Sequence, residues 1–183
     1  MNRLASQSQL RASLLRWSLV CVPAVMLLGF LSGMLGSDPS GPWFQSLTKP
    51  DIFPPPATFG IVWSILFALI GFALALVCAA WGARGRGIAI AAFIVQFALA
   101  LAWSPTFFAA HRIETALYVI FFLDVAAIIA TVLMWRVRKL AGVLMLPYVA
   151  WILFATVLNY AFLQANPDGG AAEPTGAVQT FEL

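Results

Sequence analysis

Ala57–Trp81 reads ATFGIVWSILFALIGFALALVCAAW, 25 residues without a charged side chain. As a helix rising about 1.5 Å per residue it would reach across the ~30 Å hydrocarbon core of a bilayer with length to spare. Apolar and polar positions do not alternate, so a barrel strand does not fit. Outward from this run lie four more: Trp17–Gly36, Ile88–Ala110, Thr115–Trp135 and Leu140–Gln164. A segment in lipid must satisfy its own backbone hydrogen bonds, so each run is read as a membrane-spanning helix. The expected fold is all-α, a polytopic membrane protein built as a five-helix bundle over residues 17–164. A basic cytoplasmic arm, 1–16, is expected before it and a disordered polar tail, 165–183, after it.

Composition supports this and excludes several classes. Of 183 residues, 62% are hydrophobic and 9% charged, against about 25% charged in soluble domains. A net charge of +3, dispersed along the chain, does not suggest a nucleic-acid partner. Cys21 and Cys78 both fall inside apolar runs, which argues against a disulfide framework or a cysteine zinc site. The single histidine, His111, sits at a span end beside Arg112 and Glu114. No Ser-His-Asp set, paired carboxylates or metal-ligand spacing accompanies it, so a hydrolase or metalloenzyme is not expected. Gly82–Gly87 (GARGRG) reads as a short basic turn rather than a phosphate loop.

The basic residues orient the bundle. Arg3, Arg11, Arg16, Arg84, Arg86, Arg136, Arg138 and Lys139 lie on the amino-terminal side, and only Lys49 and Arg112 on the other. The amino terminus is therefore expected in the cytoplasm and the carboxyl terminus outside, in a bacterial inner membrane. The basic start followed by an apolar run also resembles a secretory signal peptide. That run continues to Gly36 without a small-x-small cleavage site, so an uncleaved first span is the preferred reading.

Ser37–Pro56, SDPSGPWFQSLTKPDIFPPP, contains six prolines and should be stiff and extended, with short turns. It also carries Trp43, Phe44, Ile52 and Phe53. These suit either an interfacial aromatic belt or a lid folded over the helix ends. Three spans carry aromatic stripes at helical spacing: Phe59, Trp63, Phe67 and Ile70; Gln96, Ala100, Trp103 and Phe107; and Pro147, Trp151, Ala155 and Leu158, with Asn159 beside them. Taken singly, such residues serve helix packing or face lipid. Three stripes and an aromatic loop together point to a pocket for a large, flat, apolar molecule. Pro105 should kink the third span, while Pro147 fits the first turns of the fifth. Asp124 is the one acid deep in a span, a candidate for proton coupling or a hydrogen-bonded neutral group. Gly29 and Gly33, and Ala98 and Ala102, have the small-xxx-small spacing that permits close helix approach within a bundle or in a homodimer.

The motifs resemble those of the TspO/MBR family, the tryptophan-rich sensory proteins related to the translocator protein (peripheral-type benzodiazepine receptor). Lys49-Pro50, Pro54-Pro55, Phe59 and Val62-Trp63 resemble the family's first loop and second helix. Trp103-Ser104-Pro105-Thr106-Phe107-Phe108 is similar to its third-helix motif. Pro147-Tyr148, Trp151, Phe154-Ala155 and Leu158-Asn159 are similar to its fifth. The resemblance implies a five-helix bundle, often dimeric, with a pocket beneath the first loop for porphyrins and, in some members, sterols. Carried onto this chain, the pocket would be Trp43, Phe59, Trp63, Phe107, Trp151, Ala155 and Leu158, with Phe67 and Ala100 beside them. Ala100 replaces a common Asn, Phe67 a common Tyr, and Ile52 an aromatic residue, which makes the pocket more apolar. No basic residue follows Tyr160 within five positions, so the sterol-recognition pattern proposed for animal members is absent.

The resulting expectation is a membrane binding protein or carrier for porphyrins or similar hydrophobic molecules, with a stress-linked or tetrapyrrole-linked regulatory role. Porphyrin or haem enters as ligand rather than as resident cofactor, and no metal site is expected. The alternatives are light-dependent porphyrin breakdown, with Trp63 and Trp151 as redox partners, and a small proton-coupled exporter relying on Asp124.

Overall fold

The computed structural model describes residues 6–169. Helix α1 covers Gln7–Gly36 and α2, a single short turn in the loop, Pro42–Ser46. Then follow α3 (Pro56–Cys78), α4 (Arg86–Ser104) with a π-helical continuation over Pro105–Ala109, α5 (Ile113–Val137) and α6 (Lys139–Ala165). Five of these helices are long and apolar enough to cross a bilayer. The chain is an integral, multi-pass membrane protein of the five-helix kind that the sequence predicts.

The first helix starts earlier than its apolar run. Ser6 forms a capping box with Gln9: Gln9 N donates to Ser6 Oγ (3.3 Å) and Ser6 N to Gln9 Oε1 (2.9 Å). Two orphan donors are thereby satisfied and the polar segment is drawn into the helix. Residues 7–16 are thus the first turns of α1, so this part of the expected basic arm is helical. Residues 1–5, the rest of the expected arm, lie outside the described residues. At 30 residues α1 runs about 45 Å, longer than the hydrocarbon core by roughly 15 Å. At the other end, α6 stops at Ala165. Residues 166–169 form a turn, and the remainder of the expected tail, 170–183, lies outside the described residues.

The core forms where α3 runs between its neighbours. Ile70, Ala73, Ala75 and Val77 on α3 are fully buried, as are Ala127 and Met134 on α5 and Met145 and Tyr148 on α6. Large apolar side chains on the outer faces, such as Leu27, Ile61, Phe122 and Val157, are exposed, as a lipid-facing surface requires. Glycines set the α1–α3 spacing. A Cβ on Gly71 would stand 2.9 Å from Val22 Cα, and one on Gly29 would overlap the Phe67 ring. Gly29 therefore serves packing inside the bundle, while Gly33 has open space around it.

Pro147 departs from expectation, and Pro105 distorts its helix in a particular way. Pro147 is the ninth residue of α6, not part of its first turns, and points outward. The inward position beside it is Tyr148. Pro105 produces a π-helical turn. Without an N–H it cannot bond the Leu101 carbonyl, and Ser32 Oγ from α1 donates to that oxygen instead (2.7 Å). The backbone then widens, with Ala110 N donating to Pro105 O at 2.9 Å. Helix α1 crosses directly over this turn: a Cβ on Gly36 would lie 2.8 Å from Pro105 N, and the Ser37 and Ser104 hydroxyls bond to each other.

Candidate functional site

The proline-rich loop folds back over the bundle end. Pro42 begins α2 at a position where a missing N–H costs nothing. The short helix turns Phe44 inward, and Phe44 and Leu47 are buried. The Lys49 ammonium lies 4.2 Å above the Phe44 ring. It donates to the Phe44 carbonyl and, at 3.0 Å, to that of Leu47, closing the open carbonyl end of α2. Desolvation there pulls the Lys49 pKa below the usual lysine range. This packing is that of a lid and not of a hydrated connector.

Asn166 clasps the lid from the end of α6. Thr48 N donates to Asn166 Oδ1 (2.8 Å), and Asn166 Nδ2 donates to the Thr48 carbonyl (3.0 Å). Trp43 adds a second tie, with Nε1 donating to the Gly169 carbonyl at 3.3 Å. Its indole stacks on His111, centroids 4.3 Å apart and planes 16° apart, and meets Phe107 edge-on at 5.7 Å.

Beneath the lid the aromatic side chains meet ring to ring. Phe44 contacts Phe108 (5.1 Å), Phe162 (5.8 Å) and Phe53 (6.1 Å). Phe53 continues to Phe59 (5.5 Å), and Phe59 to Trp151 (5.9 Å). Trp103 stacks on Phe107 (5.2 Å), and its Nε1 donates to Asn159 Oδ1 at 3.0 Å. Asn159 Nδ2 in turn donates to the Ile113 carbonyl at 3.0 Å. The widened turn at Pro105 is what delivers Phe107 and Phe108 to this cluster.

The nine residues expected at the site divide into two groups. Trp43, Phe59, Phe107 and Leu158 belong to the lid-side cluster; Trp63, Phe67, Ala100, Trp151 and Ala155 line the main core below it. The Phe59–Trp151 contact joins them. Trp63 stacks on Phe67 at 5.1 Å and reaches Tyr148 at 6.4 Å. Phe67 is the most enclosed of the lower group at 7% exposure, set under Gly29 and edge-on to Phe30 and Phe97. It supports the wall from behind. Pro147, expected on the same stripe, is absent from the site because it faces outward.

Four contributors stood outside the expected site residues: Phe44 and Phe53, named only as aromatic residues of the loop, and Leu47 and Phe162, not named. Phe44, Phe53 and Leu47 sit on a loop with no periodicity to reveal their direction. Phe162 had a readable signal, since it continues the 4, 3 and 4 spacing of Trp151, Ala155 and Leu158.

Among the described residues three buried polar atoms lack a protein partner: Trp151 Nε1, Gln96 Nε2 and Asp124 Oδ1. Gln96 Oε1 accepts from Tyr148 Oη at 2.8 Å. Asp124 Oδ2 accepts from Thr156 Oγ1 at 2.7 Å, and Thr156 Oγ1 also lies 3.0 Å from the Ile152 carbonyl.

The sequence profile of the TspO/MBR family matches residues 20–164. The chain belongs to this family. A tryptophan-rich protein TspO of Chlorobaculum tepidum is 32% identical over 149 residues, which is 81% of this chain and 94% of the relative. Protein CrtK of Rhodobacter capsulatus is 34% identical, covering 69% of this chain and 80% of its own length. The human translocator protein is also 34% identical, over 68% and 75% respectively. The TspO/MBR match runs from within α1 to the last turn of α6 and takes in the lid. Asn166 and Gly169, which tie the lid down, lie just beyond it.

Proposed function

We propose that this TspO/MBR protein binds, and carries across or within the membrane, porphyrins or similar flat hydrophobic molecules. A stress-linked or tetrapyrrole-linked regulatory role goes with that reading. One observation carries it: aromatic side chains from the lid, α3, α4 with its π-helical continuation, and α6 converge at one end of the bundle and reach, through Phe59, Trp151 below them, whose buried indole N–H has no partner. Flat rings supply stacking surface, and an unpaired donor in an apolar wall rewards a ligand carrying an acceptor. The rings now touch one another, so a ligand would part them, with lid opening as the route of exchange. Titrating the purified protein with protoporphyrin tests this through quenching of tryptophan fluorescence. Saturable quenching is expected, with affinity reduced roughly thirtyfold, about 2 kcal/mol, in Trp151→Ala and in Trp63→Ala. Absence of saturable quenching would remove the reading.

The amino-terminal, basic end is proposed to face the cytoplasm of a bacterial cell, in its inner membrane. A homodimer is proposed through α4, where Ala98 and Ala102 are exposed, instead of through α1, where Phe67 fills the space over Gly29.

A second reading, proton-coupled export, draws support from Asp124. The Thr156 hydroxyl has one proton and two nearby acceptors, Asp124 Oδ2 and the Ile152 carbonyl. A proton arriving on Asp124 would complete a chain from Asp124 through Thr156 to Ile152. Under this reading ligand flux in vesicles follows an imposed pH gradient, and Asp124→Asn abolishes that dependence while leaving binding intact. Flux indifferent to the gradient would reject it.

A further inference from the structure

The outer seam between α5 and α6 holds a groove at the end of the bundle opposite the lid. Thr131, Val132, Trp135 and Arg136 of α5 and Leu146 of α6 line it. Val132, Trp135 and Leu146 are exposed there, on a surface that faces lipid. Gly142 tightens the seam at one end of the groove. A Cβ on it would stand 2.6 Å from both Cβ and Cε3 of Trp135, so the indole lies against the α6 backbone. Thr131 is buried and donates its hydroxyl to the Ala127 carbonyl at 2.7 Å. The groove is therefore apolar along its length, with one cation, Arg136 in the last turn of α5, at its mouth.

Charge at this end is one-sided. Arg138 and Lys139 follow Arg136 across the junction into α6, and all three are exposed. Among the described residues no carboxylate shares this end. Asp38, Asp51, Glu114 and Asp168 belong to the lid end, and Asp124 is twelve residues before Arg136 on α5, about 18 Å along the axis. Arg86 differs from these three cations, because its guanidinium is already engaged by the Cys78 carbonyl (2.9 Å) and the Trp81 ring (4.3 Å). The aromatic site beneath the lid uses none of the groove residues.

We propose that this groove is a binding site for one anionic phospholipid, in the leaflet at the basic end of the bundle. An acyl chain lies along Val132 and Leu146 against the Trp135 ring, where close apolar contact holds it. The phosphate meets Arg136, whose planar guanidinium bonds two of its oxygens at once. Arg138 and Lys139 add attraction for a headgroup of net negative charge. A zwitterionic lipid fits less well, because its ammonium group finds cations here and no carboxylate to receive it. Chain and charge are both needed, which separates the lipid from a free phosphate ion.

The test uses the full chain in phosphatidylcholine nanodiscs doped with a phosphatidylglycerol whose acyl chain carries a photoactivatable diazirine. After illumination, adducts are mapped by mass spectrometry. They should concentrate within residues 131–146. Unlabelled phosphatidylglycerol should compete them away, and inorganic phosphate should not. Arg136→Gln should lower labelling of that segment roughly fivefold, the effect of one cation near the membrane surface. Arg84→Gln, the same charge change at an exposed site of the same end, should leave it unchanged. The wild-type competition decides the matter even if a variant folds poorly. Adducts spread evenly over the lipid-facing sides of all five spans would overturn the proposal. So would competition by inorganic phosphate, or equal labelling of the groove by a diazirine phosphatidylcholine.

Discussion

Asn166 shows how one side chain positions a whole segment. Its amide fills both the donor and the acceptor of Thr48, in a loop whose prolines leave few backbone donors of their own. Asn166→Ala should cost about 1 kcal/mol, because the part-buried hydrogen bonds to the Thr48 N–H and carbonyl are lost. It should also speed hydrogen exchange at the Thr48 amide while α3 remains protected. Gly36 makes the complementary case, in which the absence of a side chain is what matters. Gly36→Ala drives a methyl into Pro105 and should lower thermal stability by about 1–3 kcal/mol, read as a shifted unfolding midpoint in detergent. Neither residue was legible from sequence. Asn166 follows the last apolar run and resembles any polar tail residue, and a lone glycine at a span end reads as a helix stop.

Among the elements, the spans were the easiest to read, because burial in lipid imposes an apolar run that no tertiary contact can override. Their ends were harder. The capping box at Ser6 and Gln9 was visible in the sequence, yet the polar, basic residues between it and Trp17 read as a separate arm. The proline in the third span was correctly expected to distort it. The form of the distortion depends on Ser32 from another helix, which satisfies the Leu101 carbonyl, and no local signal encodes that. Ser32→Ala should leave this carbonyl unpaired and destabilise the π-helical turn by about 1 kcal/mol. Circular dichroism should show unchanged helix content, with the loss confined to faster exchange over 105–110. The aromatic stripes were legible by spacing wherever they lay on a helix. They failed at Pro147, where the inward position is one residue later.

For the molecule as a whole, the two ends of the bundle differ in kind. The lid end gathers aromatic rings above an unpaired indole donor, and the opposite end carries Arg86 over Trp81 and bonded to the end of α3. Five spans predict termini on opposite sides of the membrane. Reporter fusions at residues 1 and 183 should therefore give opposite signals, and like signals would contradict the five-span bundle. The expectation of a site beneath the loop comes from a likeness of motifs. The lid's docking was not legible, since it rests on Phe44, Leu47 and Asn166 meeting residues far along the chain. The most direct test of the central claim, that a flat apolar ligand is held between this lid and the aromatic cluster, is hydrogen exchange of the nanodisc-embedded protein with and without protoporphyrin. The account predicts protection on ligand addition over residues 37–56 and 105–111, with little change at the basic end. Saturating ligand that leaves both segments exchanging as before would contradict it.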